Sequence, residues 1–471
     1  MHAFVRLSLL SLLLGLLIPS RAVAEPLLSD SERATAAELI ERGLGDELAW
    51  AIVESLTTEV GPRPAGTAAE ARARDWALTL LSELGFSNAR VETFETSLWQ
   101  RGLEQAEIVS PFPQPLVVTA LGGSAGTGLE GIAGPVVSFR TLAELQAAPS
   151  GSRDGAVVFV DEVMSRTQDG SGYGVAVAKR YLAASEAKRL GASAVLIRSV
   201  GTSQHRFAHT GQMKAVIHGE EDTSHVPAAA LSAPDADQLR RALARSDEVV
   251  VRLVLTPEVL PAAQSGNVIA EIPGRESPEE LVLVGAHLDS WDLGTGAIDD
   301  GAGVGIVVAA ARLVRDLLPE GPRRTIRIVL FGAEEVGLIG ARAYVEQHRE
   351  ELANHVMASE SDFGSGRVWR FDTNVGEGSK ALADAIGAEL RVLGIGPGRE
   401  GASGGPDIGP MQDAVDVPVL RLYQDGTDYF DVHHTPNDTL DKIDRDALRQ
   451  NVAAWAAMMY LVAETPERLA N

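Results

Sequence analysis

Histidine and carboxylate residues recur directly after apolar runs in the second half of this 471-residue chain. The residues at these positions are His287, Asp289, Glu334, Glu335 and Asp362. Polar groups collect at the carboxyl ends of strands in open α/β sheets, so we expect these side chains on one rim. Two further groups lie in loops, Asp299-Asp300-Gly301 and His433-His434. The chain has no cysteine, so a catalytic metal must be held by histidine, aspartate and glutamate.

This set contains enough ligands for two metal ions. Two zinc ions about 3.5–4 Å apart can hold a water between them, and such sites share carboxylates. Asp299, Glu335 and Asp362 would offset most of the charge of two Zn²⁺, and the remaining positive charge would acidify the water. Glu334 is adjacent to a ligand without being one, which suits a general base that later protonates the leaving amine. The sequence therefore predicts hydrolysis by a metal-activated water.

Each of these residues also has an ordinary structural interpretation when it is taken alone. A single histidine or aspartate at a strand end is more often a cap or turn residue than a ligand. Glu334-Glu335 could be the acidic first turn of a helix, which the helix dipole favours. His433-His434 could belong to a solvated loop. Their ordered combination favours the metal interpretation.

Alternating strands and helices are predicted around these residues from Asn267 onward. Continuous apolar strands joined by helices are typical of a buried, largely parallel sheet that is covered on both faces. The predicted elements are strand 281–286, helix 304–318, strand 325–331, a helix ending near Arg349, and a final helix 445–461. The predicted fold class is therefore α/β, with a mixed, largely parallel sheet and helices on both faces.

The first half of the chain has two parts that differ in their predicted secondary structure. Residues 25–105 are predicted to be the N-terminal part of the main domain, helical to about residue 85 and interrupted by a turn-rich loop at 61–66. Residues 106–262 predict a β-rich domain with its own core, and residues 263–471 carry the site. Within the β-rich domain we predict strands 115–121, 156–160, 194–197 and 249–255 and a helix 175–190.

The first 24 residues are typical of a secretory signal peptide. Arg6 precedes an apolar run, 7–19, and Ala22-Val23-Ala24 forms a cleavage site. The run is too short to span a bilayer, so we expect an exported protein without a membrane span, in the periplasm or the medium. The net charge of 41 − 65 = −24 argues against nucleic acid and anionic membranes as partners.

Several motifs in the chain resemble zinc peptidases of family M28. Those at the site are 285–292, Asp299-Asp300-Gly301, Ala333-Glu334-Glu335, Glu360-Ser361-Asp362, and His433-His434 with Asp438-Thr439. Those outside it are Gly61-Pro62-Arg63, 196–200 and His209-Thr210-Gly211. The resemblance covers nearly the whole chain after the signal segment. It implies a zinc exopeptidase fold in which 106–262 is an inserted, protease-associated-like lid domain.

The resemblance also implies a ligand set for two zinc ions per chain. His287 and Asp362 would hold one zinc, Glu335 and His434 would hold the other, and Asp299 would bridge them. The implied substrate is a dipeptide or short peptide that is cut near one terminus, by a carboxypeptidase, dipeptidase or aminopeptidase activity. A homodimer is also implied.

Other roles follow from the same resemblance. Glu334 matches the general base, and Asp289 matches the carboxylate that orients a ligand histidine, here His287. His433 stands where related glutamate carboxypeptidases carry a tyrosine that steadies the tetrahedral intermediate. Asp407 matches an aspartate that lines the site, while Asp300 is expected to support the local backbone.

Three alternatives stay open. A serine hydrolase is suggested by Gly-x-Ser-x-Gly around Ser124 and Ser403, although glycine-rich flanks argue against the strand–turn–helix context that this motif needs. A glutaminyl-cyclase-like acyltransferase would use the same fold with a single zinc, which a metal count distinguishes. A receptor-like binding protein would have lost catalysis, but a ligand-type residue stands at every matching position.

Overall fold

The computed structural model describes residues 26–213, 216–217, 220–221 and 225–471. The predicted signal peptide, residues 1–24, lies outside the described residues. Within the described part of the chain, no helix is long and apolar enough to cross a membrane.

The described elements are numbered in chain order. The strands are β1 (Ser87–Gln100), β2 (Glu104–Ser110), β3 (Gln114–Leu116), β4 (Val118–Ala120), β5 (Ile132–Phe139), β6 (Val157–Val160), β7 (Ala194–Arg198), β8 (Val216–Ile217), β9 (Glu220–Glu221), β10 (Ala228–Leu231), β11 (Val250–Leu255), β12 (Glu258–Ile272), β13 (Ser277–His287), β14 (Arg324–Phe331), β15 (His355–Glu360), β16 (Val368–Asn374), β17 (Gly396–Glu400) and β18 (Val419–Gln424). The α-helices are α1 (Asp30–Leu44), α2 (Leu48–Ser55), α3 (Ala68–Glu83), α4 (Leu142–Ala147), α5 (Ser171–Arg189), α6 (Ala233–Leu243), α7 (Ala302–Leu317), α8 (Ile339–Gln347), α9 (Lys380–Glu389), α10 (Gly409–Ala414), α11 (Tyr429–Val432) and α12 (Arg445–Glu464).

A five-stranded sheet in the order β1-β12-β14-β13-β15 carries the strand ends that concern the site. Strand β13 lies parallel to β14 and to β15, whereas β1–β12 and β12–β14 are antiparallel pairs. The expectation of a largely parallel sheet is therefore wrong for the β1 half, and the sheet is mixed. Strands that follow each other in parallel are joined by a crossover connection, usually a helix. The chain instead passes directly from β11 of the other sheet into β12, without a helix between them.

Helices cover both faces of this sheet, as predicted. On one face α7 and α12 pack on apolar residues such as Val282, Val284 and Ile328, in a cluster that includes Trp455. On the other face α8 and α10 contribute to a smaller cluster around Phe331. The predicted helix 304–318 is confirmed as α7 and the predicted final helix as α12. Both helices are almost fully buried along their length, which explains their apolar sequences.

Residues 104–255 form an eight-stranded sheet in the order β3-β2-β11-β5-β6-β7-β10-β4, together with α4, α5 and α6. We call this the second-sheet unit. It has its own apolar cluster, which includes Phe159, Leu196 and Leu253. Predicted strands 156–160, 194–197 and 249–255 and the long helix are confirmed, with the helix starting four residues earlier than expected. The predicted strand 115–121 is instead divided into β3 and β4, which lie at opposite edges of the sheet. The proposed domain boundary at residue 262 falls inside β12, which pairs with β1 from Glu258 onward.

Arg101 joins the second-sheet unit to the five-stranded sheet. Its guanidinium donates two hydrogen bonds to Asp292, at 2.7 and 2.9 Å, in the loop after β13. The same group donates to Thr119 Oγ1 at 2.7 Å and to Thr210 Oγ1 at 3.0 Å, both in the second-sheet unit. The loop that follows His287 is therefore tied to the neighbouring sheet.

Candidate metal centre

The polar residues predicted after apolar strands lie at one edge of the five-stranded sheet. His287 is the last residue of β13, the central strand of the parallel group. Glu334-Glu335 follows the end of β14, and Asp362 follows the end of β15. These three strands are parallel neighbours, so their carboxyl ends meet at the same edge.

Two histidines and three carboxylates converge there. His287 Nε2 lies 3.0 Å from Asp299 Oδ1 and 3.7 Å from Asp362 Oδ1. His434 Nε2 lies 3.0 Å from Glu335 Oε2 and 3.2 Å from Asp299 Oδ2. The two oxygens of Asp299 therefore face one histidine each, and Asp299 stands between two histidine–carboxylate pairs.

This arrangement fits divalent cations. Two ligand atoms bound to one tetrahedral zinc at about 2.0–2.2 Å are about 3.3–3.6 Å apart, close to the separations seen here. The three sets of ligand atoms that lie within 4.8 Å of one another are Asp299 with His433 and His434, His287 with Asp300 and Asp362, and His287 with Asp299 and Glu335. No described donor reaches the buried Glu335 Oε1, and imidazole nitrogen with carboxylate oxygen is a donor set that zinc accepts.

Negative charge dominates the electrostatics of the cluster. Burial lowers the pKa of His434, but the charge of Glu335 and a hydrogen bond to Asp299 outweigh it and raise the pKa to about 9. Burial opposes the charged form of His287 in the same way, and its bonds to Asp299 and Asp362 raise its pKa well above the usual value. These carboxylates thus favour positive charge at the point where they meet.

Glu334 lies beside this cluster and makes none of its contacts. Its side chain is half-buried, and no described residue hydrogen-bonds to the carboxylate. Burial raises the pKa of Glu334 well above its usual value; the charge of His287 opposes this rise, and the charges of Asp362, Glu335 and Asp289 add to it. A carboxylate that readily takes up a proton at this position suits acid–base work.

Comparison with known proteins identifies the family. Residues 267–459 match the family described as "Peptidase family M28". The chain is 35% identical over 414 residues to carboxypeptidase Q of Rattus norvegicus, over 88% of this chain and 85% of that protein. The chain belongs to peptidase family M28. It is therefore a peptide hydrolase.

Solved structures support the fold of this M28 peptidase. The crystal structure of a peptidase M28 precursor from Shewanella amazonensis SB2B is 46% identical, covers 94% of this chain and 99% of that chain, and superposes with a TM-score of 0.90. A zinc aminopeptidase from Bacillus subtilis is 21% identical and covers 89% of this chain and 96% of that chain, with a TM-score of 0.63. At that identity the second likeness shows the shared fold alone.

In this M28 peptidase Asp289 contacts His287 through its backbone carbonyl, and not through the carboxylate that the family resemblance implies. The Asp289 carbonyl oxygen lies 3.0 Å from His287 Nδ1, whereas its carboxylate stays 3.9 Å away. The carboxylate instead accepts the backbone N–H of Glu334 at 3.0 Å and of Glu335 at 3.3 Å. These two amides follow Ala333, whose φ of +56° turns the chain back toward β13. Asp289 thus fixes both the histidine and the glutamate pair.

His433 lies against the cluster rather than at a solvated edge. Its ring stacks on that of His434 with centroids 3.5 Å apart, and its Nε2 lies 3.5 Å from Asp299 Oδ2. Burial, followed by the charge of His434, lowers the pKa of His433 well below its usual value. A neutral imidazole at this point can face either a metal ion or a substrate.

Asp300 and Asp407 line the outside of the cluster. Asp300 accepts the backbone N–H groups of His287 and Gly303, both at 3.1 Å, and so supports the turn as the sequence suggested. Asp407 lies against Glu360, whose Oε2 accepts the Asp407 N–H at 2.8 Å. Asp407 is buried next to the strand that delivers Asp362.

Two residues that hold the loop around Asp299 in this M28 peptidase could not be given a role from the sequence. Asp438 accepts the N–H of Ile298 at 2.6 Å and of Asp299 at 3.2 Å, which holds the turn that carries the shared carboxylate. Arg63 is fully buried and donates to the carbonyls of Thr295 and Gly296 at 2.7 and 2.9 Å. Both stand within motifs that resemble the family, which is the only signal that could have singled them out.

Arg180 was missed for a different reason. It extends from α5 of the second-sheet unit to the His434 ring, with its Nη1 3.3 Å from Nδ1. Its Nη2 donates to the Tyr173 hydroxyl at 2.8 Å. Arg180 is 4% exposed, and no carboxylate of the described residues lies within ion-pair distance of it. Nothing in the sequence distinguishes this arginine from the other 40 basic residues.

The two serine motifs do not form a nucleophilic site. Ser124 is buried, donates to the Ala125 carbonyl and accepts the Ala228 N–H, both at 2.9 Å. Ser403 Oγ accepts the Gly405 N–H at 3.4 Å. Within the described part of the chain, neither hydroxyl contacts a histidine, so a general base for serine attack is missing.

Proposed function

We propose that this M28 peptidase is an exopeptidase that hydrolyses dipeptides or short peptides at a centre of two zinc ions. The observation that carries the proposal is the position of Asp299. Its two carboxylate oxygens each face a separate histidine–carboxylate pair, at 3.0 and 3.2 Å from the histidine nitrogens. Such a shared carboxylate is typical of two-metal hydrolytic sites.

The residues that would hold the ions follow from these contacts. His287 and Asp362 would bind one zinc, His434 and Glu335 the other, and Asp299 would bridge them. Zinc bound there supplies a Lewis acid for the scissile carbonyl and lowers the pKa of water. Asp289 supports the assignment, because its carbonyl accepts from His287 Nδ1 and leaves Nε2 free to bind a metal.

Proton transfer is assigned to Glu334. Its carboxylate has no competing hydrogen bond among the described residues and adjoins the ligand Glu335. It would accept a proton from the attacking water and deliver it to the nitrogen of the leaving amine. The neutral His433 would steady the oxygen of the tetrahedral intermediate, in the position that the family resemblance implies.

Arg180 supports recognition of a free carboxylate on the substrate. His434 Nδ1 donates to the Thr210 carbonyl at 3.2 Å, so this nitrogen cannot also accept a hydrogen bond from Arg180 Nη1. The Nε atom of the buried Arg180 guanidinium has no hydrogen-bond partner among the described residues. A C-terminal carboxylate is the substrate group that would match it, because guanidinium and carboxylate form paired, charge-assisted hydrogen bonds. We therefore propose peptides with a free C-terminus as substrates.

Export is proposed from the N-terminal sequence alone. The basic residue, the short apolar run and Ala22-Val23-Ala24 predict cleavage before Glu25. The expected mature N-terminus is Glu25, which N-terminal sequencing of protein recovered from the periplasm or medium would check. Recovery of the uncleaved chain from the cytoplasm would contradict export.

A terminus-blocked dipeptide panel tests the proposed activity. The purified protein is assayed on one dipeptide in four forms: free, N-acetylated, C-amidated and blocked at both ends. We expect the amidated forms to be cleaved least, a metal chelator to abolish activity, and added zinc to restore it. Elemental analysis should find two zinc ions per chain. Activity that survives chelation, or a single bound ion, would contradict the two-zinc peptidase proposal.

A further inference from the structure

Segment 209–211 of the second-sheet unit lies against the turn formed by His433 and His434. His209 Nδ1 donates to the His433 carbonyl at 2.7 Å, since a carbonyl oxygen can only accept. The Thr210 N–H donates to the His434 carbonyl at 3.0 Å. His434 Nδ1 donates in return to the Thr210 carbonyl at 3.2 Å. The three contacts hold both the backbone and the ring of the turn.

The turn needs such support because of its backbone conformation. His434 has a φ of +60°, in the left-handed region that residues other than glycine rarely adopt. The contact at Nδ1 also selects the tautomer of the neutral ring, because a neutral imidazole that is protonated at Nδ1 is unprotonated at Nε2. That Nε2 faces Asp299 and Glu335 at 3.2 and 3.0 Å. The ring is thereby held in the form and direction that metal binding requires.

Segment 209–211 is itself anchored within the second-sheet unit. The His209 N–H donates to Ser199 Oγ at 2.9 Å, and the Gly211 carbonyl accepts the Gly122 N–H at 3.0 Å. The His209 ring is buried and packs on Gly201, where a Cβ atom would come within 2.2 Å of the ring. The position of the His433-His434 turn is therefore fixed, through segment 209–211, relative to the second-sheet unit.

We infer that the second-sheet unit completes the metal centre, with His209 as the positioning residue for the ligand His434. The inference rests on the proposed function, because it takes His434 to be a zinc ligand. It extends that function, because a unit expected only to cover the cleft becomes part of the structure that sets metal affinity. Metal binding and the packing of segment 209–211 on the turn should stabilise each other, since such coupling is reciprocal.

Zinc titration of two His209 variants tests the inference. His209→Ala removes the donor, whereas His209→Asn keeps an N–H group near the place of Nδ1. The exposed His205, four residues earlier, provides the control His205→Ala. Zinc affinity is measured on the metal-depleted, purified protein by competition with a chromophoric chelator. We expect His209→Ala to lower the affinity for one of the two zinc ions by about 10- to 100-fold, which is the usual loss when a residue that orients a metal ligand is changed. His209→Asn should retain most of the wild-type zinc affinity, and His205→Ala should bind zinc as tightly as the wild type does.

Each other outcome has a defined meaning. Unchanged zinc affinity in His209→Ala would overturn the inference, as would equal weakening of both ions together with a lower unfolding temperature of the metal-free protein. Failure of His209→Asn to recover affinity would show that ring packing, and not the hydrogen bond, matters. A wild-type protein that binds no zinc would instead contradict the proposed function.

Hydrogen exchange gives an independent measurement. The Thr210 amide donates to the His434 carbonyl, so zinc should slow exchange in the peptide that contains segment 209–211. We expect this zinc-dependent protection in the wild type and in His205→Ala, and a clear reduction in His209→Ala. Exchange in this peptide that does not respond to zinc in the wild type would overturn the coupling, even if zinc binds.

Discussion

The Glu334 carboxylate accepts no hydrogen bond from a described residue, whereas the adjacent Glu335 reaches His434 at 3.0 Å. This difference supports the proposed roles of Glu334 as proton carrier and Glu335 as metal ligand. Glu334→Gln should therefore lower kcat by about 10²- to 10⁴-fold, the usual contribution of a general base, and leave two zinc ions per chain. Steady-state kinetics with elemental analysis checks both. Glu350→Gln, at an exposed position, is the matched control. Loss of zinc in Glu334→Gln would assign the residue to the metal instead.

Arg180 can be tested by comparing substrates rather than by overall activity. Arg180→Met removes the guanidinium and keeps a long apolar side chain in a buried position. Hydrogen bonds to charged groups contribute about 1.5–3 kcal/mol, so kcat/KM for dipeptides with a free C-terminus should fall by about 10- to 100-fold. The smaller kcat/KM for the C-amidated dipeptide should change little. Equal losses on both substrates would mean that Arg180 supports the fold or His434 and does not recognise the carboxylate.

At the scale of elements, the turn 297–301 depends on a residue far away in sequence. Asp438 accepts one N–H on each carboxylate oxygen, from Ile298 and Asp299. Asp438→Asn would place an amide N–H against one of these donors. We expect zinc affinity to fall by about 10- to 100-fold, as is usual when a residue that orients a ligand is changed. Zinc competition titration measures it, with the exposed Asp446→Asn as the control. Unchanged affinity would show that the turn keeps its shape without these bonds.

The elements that the sequence predicts well are those with a strong apolar pattern. Residues 281–287 of β13, strand β14 and most of helices α7 and α12 are buried, so long stretches of their sequences are apolar. The ribbon of β1 and β12 was not predicted, because β1 alternates exposed and half-buried residues and contains many polar ones. Its pairing partner lies more than 150 residues later, which local patterns cannot reveal.

The same limit explains which site residues were found. His287, Glu334, Glu335 and Asp362 stand at or just after strand ends, where the rule for parallel sheets places functional groups. Asp299 and the pair His433-His434 were singled out as loop residues, but the bridging role of Asp299 and the choice of His434 as the ligand came from the family resemblance. Arg180 meets His434 across 254 residues of sequence, so only the folded chain brings the two together.

At the scale of the whole molecule, the site joins parts of the chain that are remote in sequence. Arg101 bonds Asp292 of the loop after β13 and Thr210 of the second-sheet unit, so it links both sides of the cluster. The candidate metal centre thus lies where the five-stranded sheet and the second-sheet unit meet. A cation bound there would contact residues from several separate segments and stabilise the folded chain as a whole.

Removal of the metal should therefore lower the stability of the whole protein. Without a cation, the carboxylates of the buried Asp299 and Glu335 and the half-buried Asp362 repel one another at the edge of the sheet. Zinc that binds only the folded state stabilises it by about 4 kcal/mol for each site at 1,000 times Kd. We expect chelation to lower the unfolding temperature by on the order of 10 °C for two sites, and zinc to restore it. Differential scanning calorimetry measures the change. His287→Ala should show a smaller zinc-dependent shift, because one site is lost. Equal unfolding temperatures with and without saturating zinc would mean that no cation binds this cluster tightly.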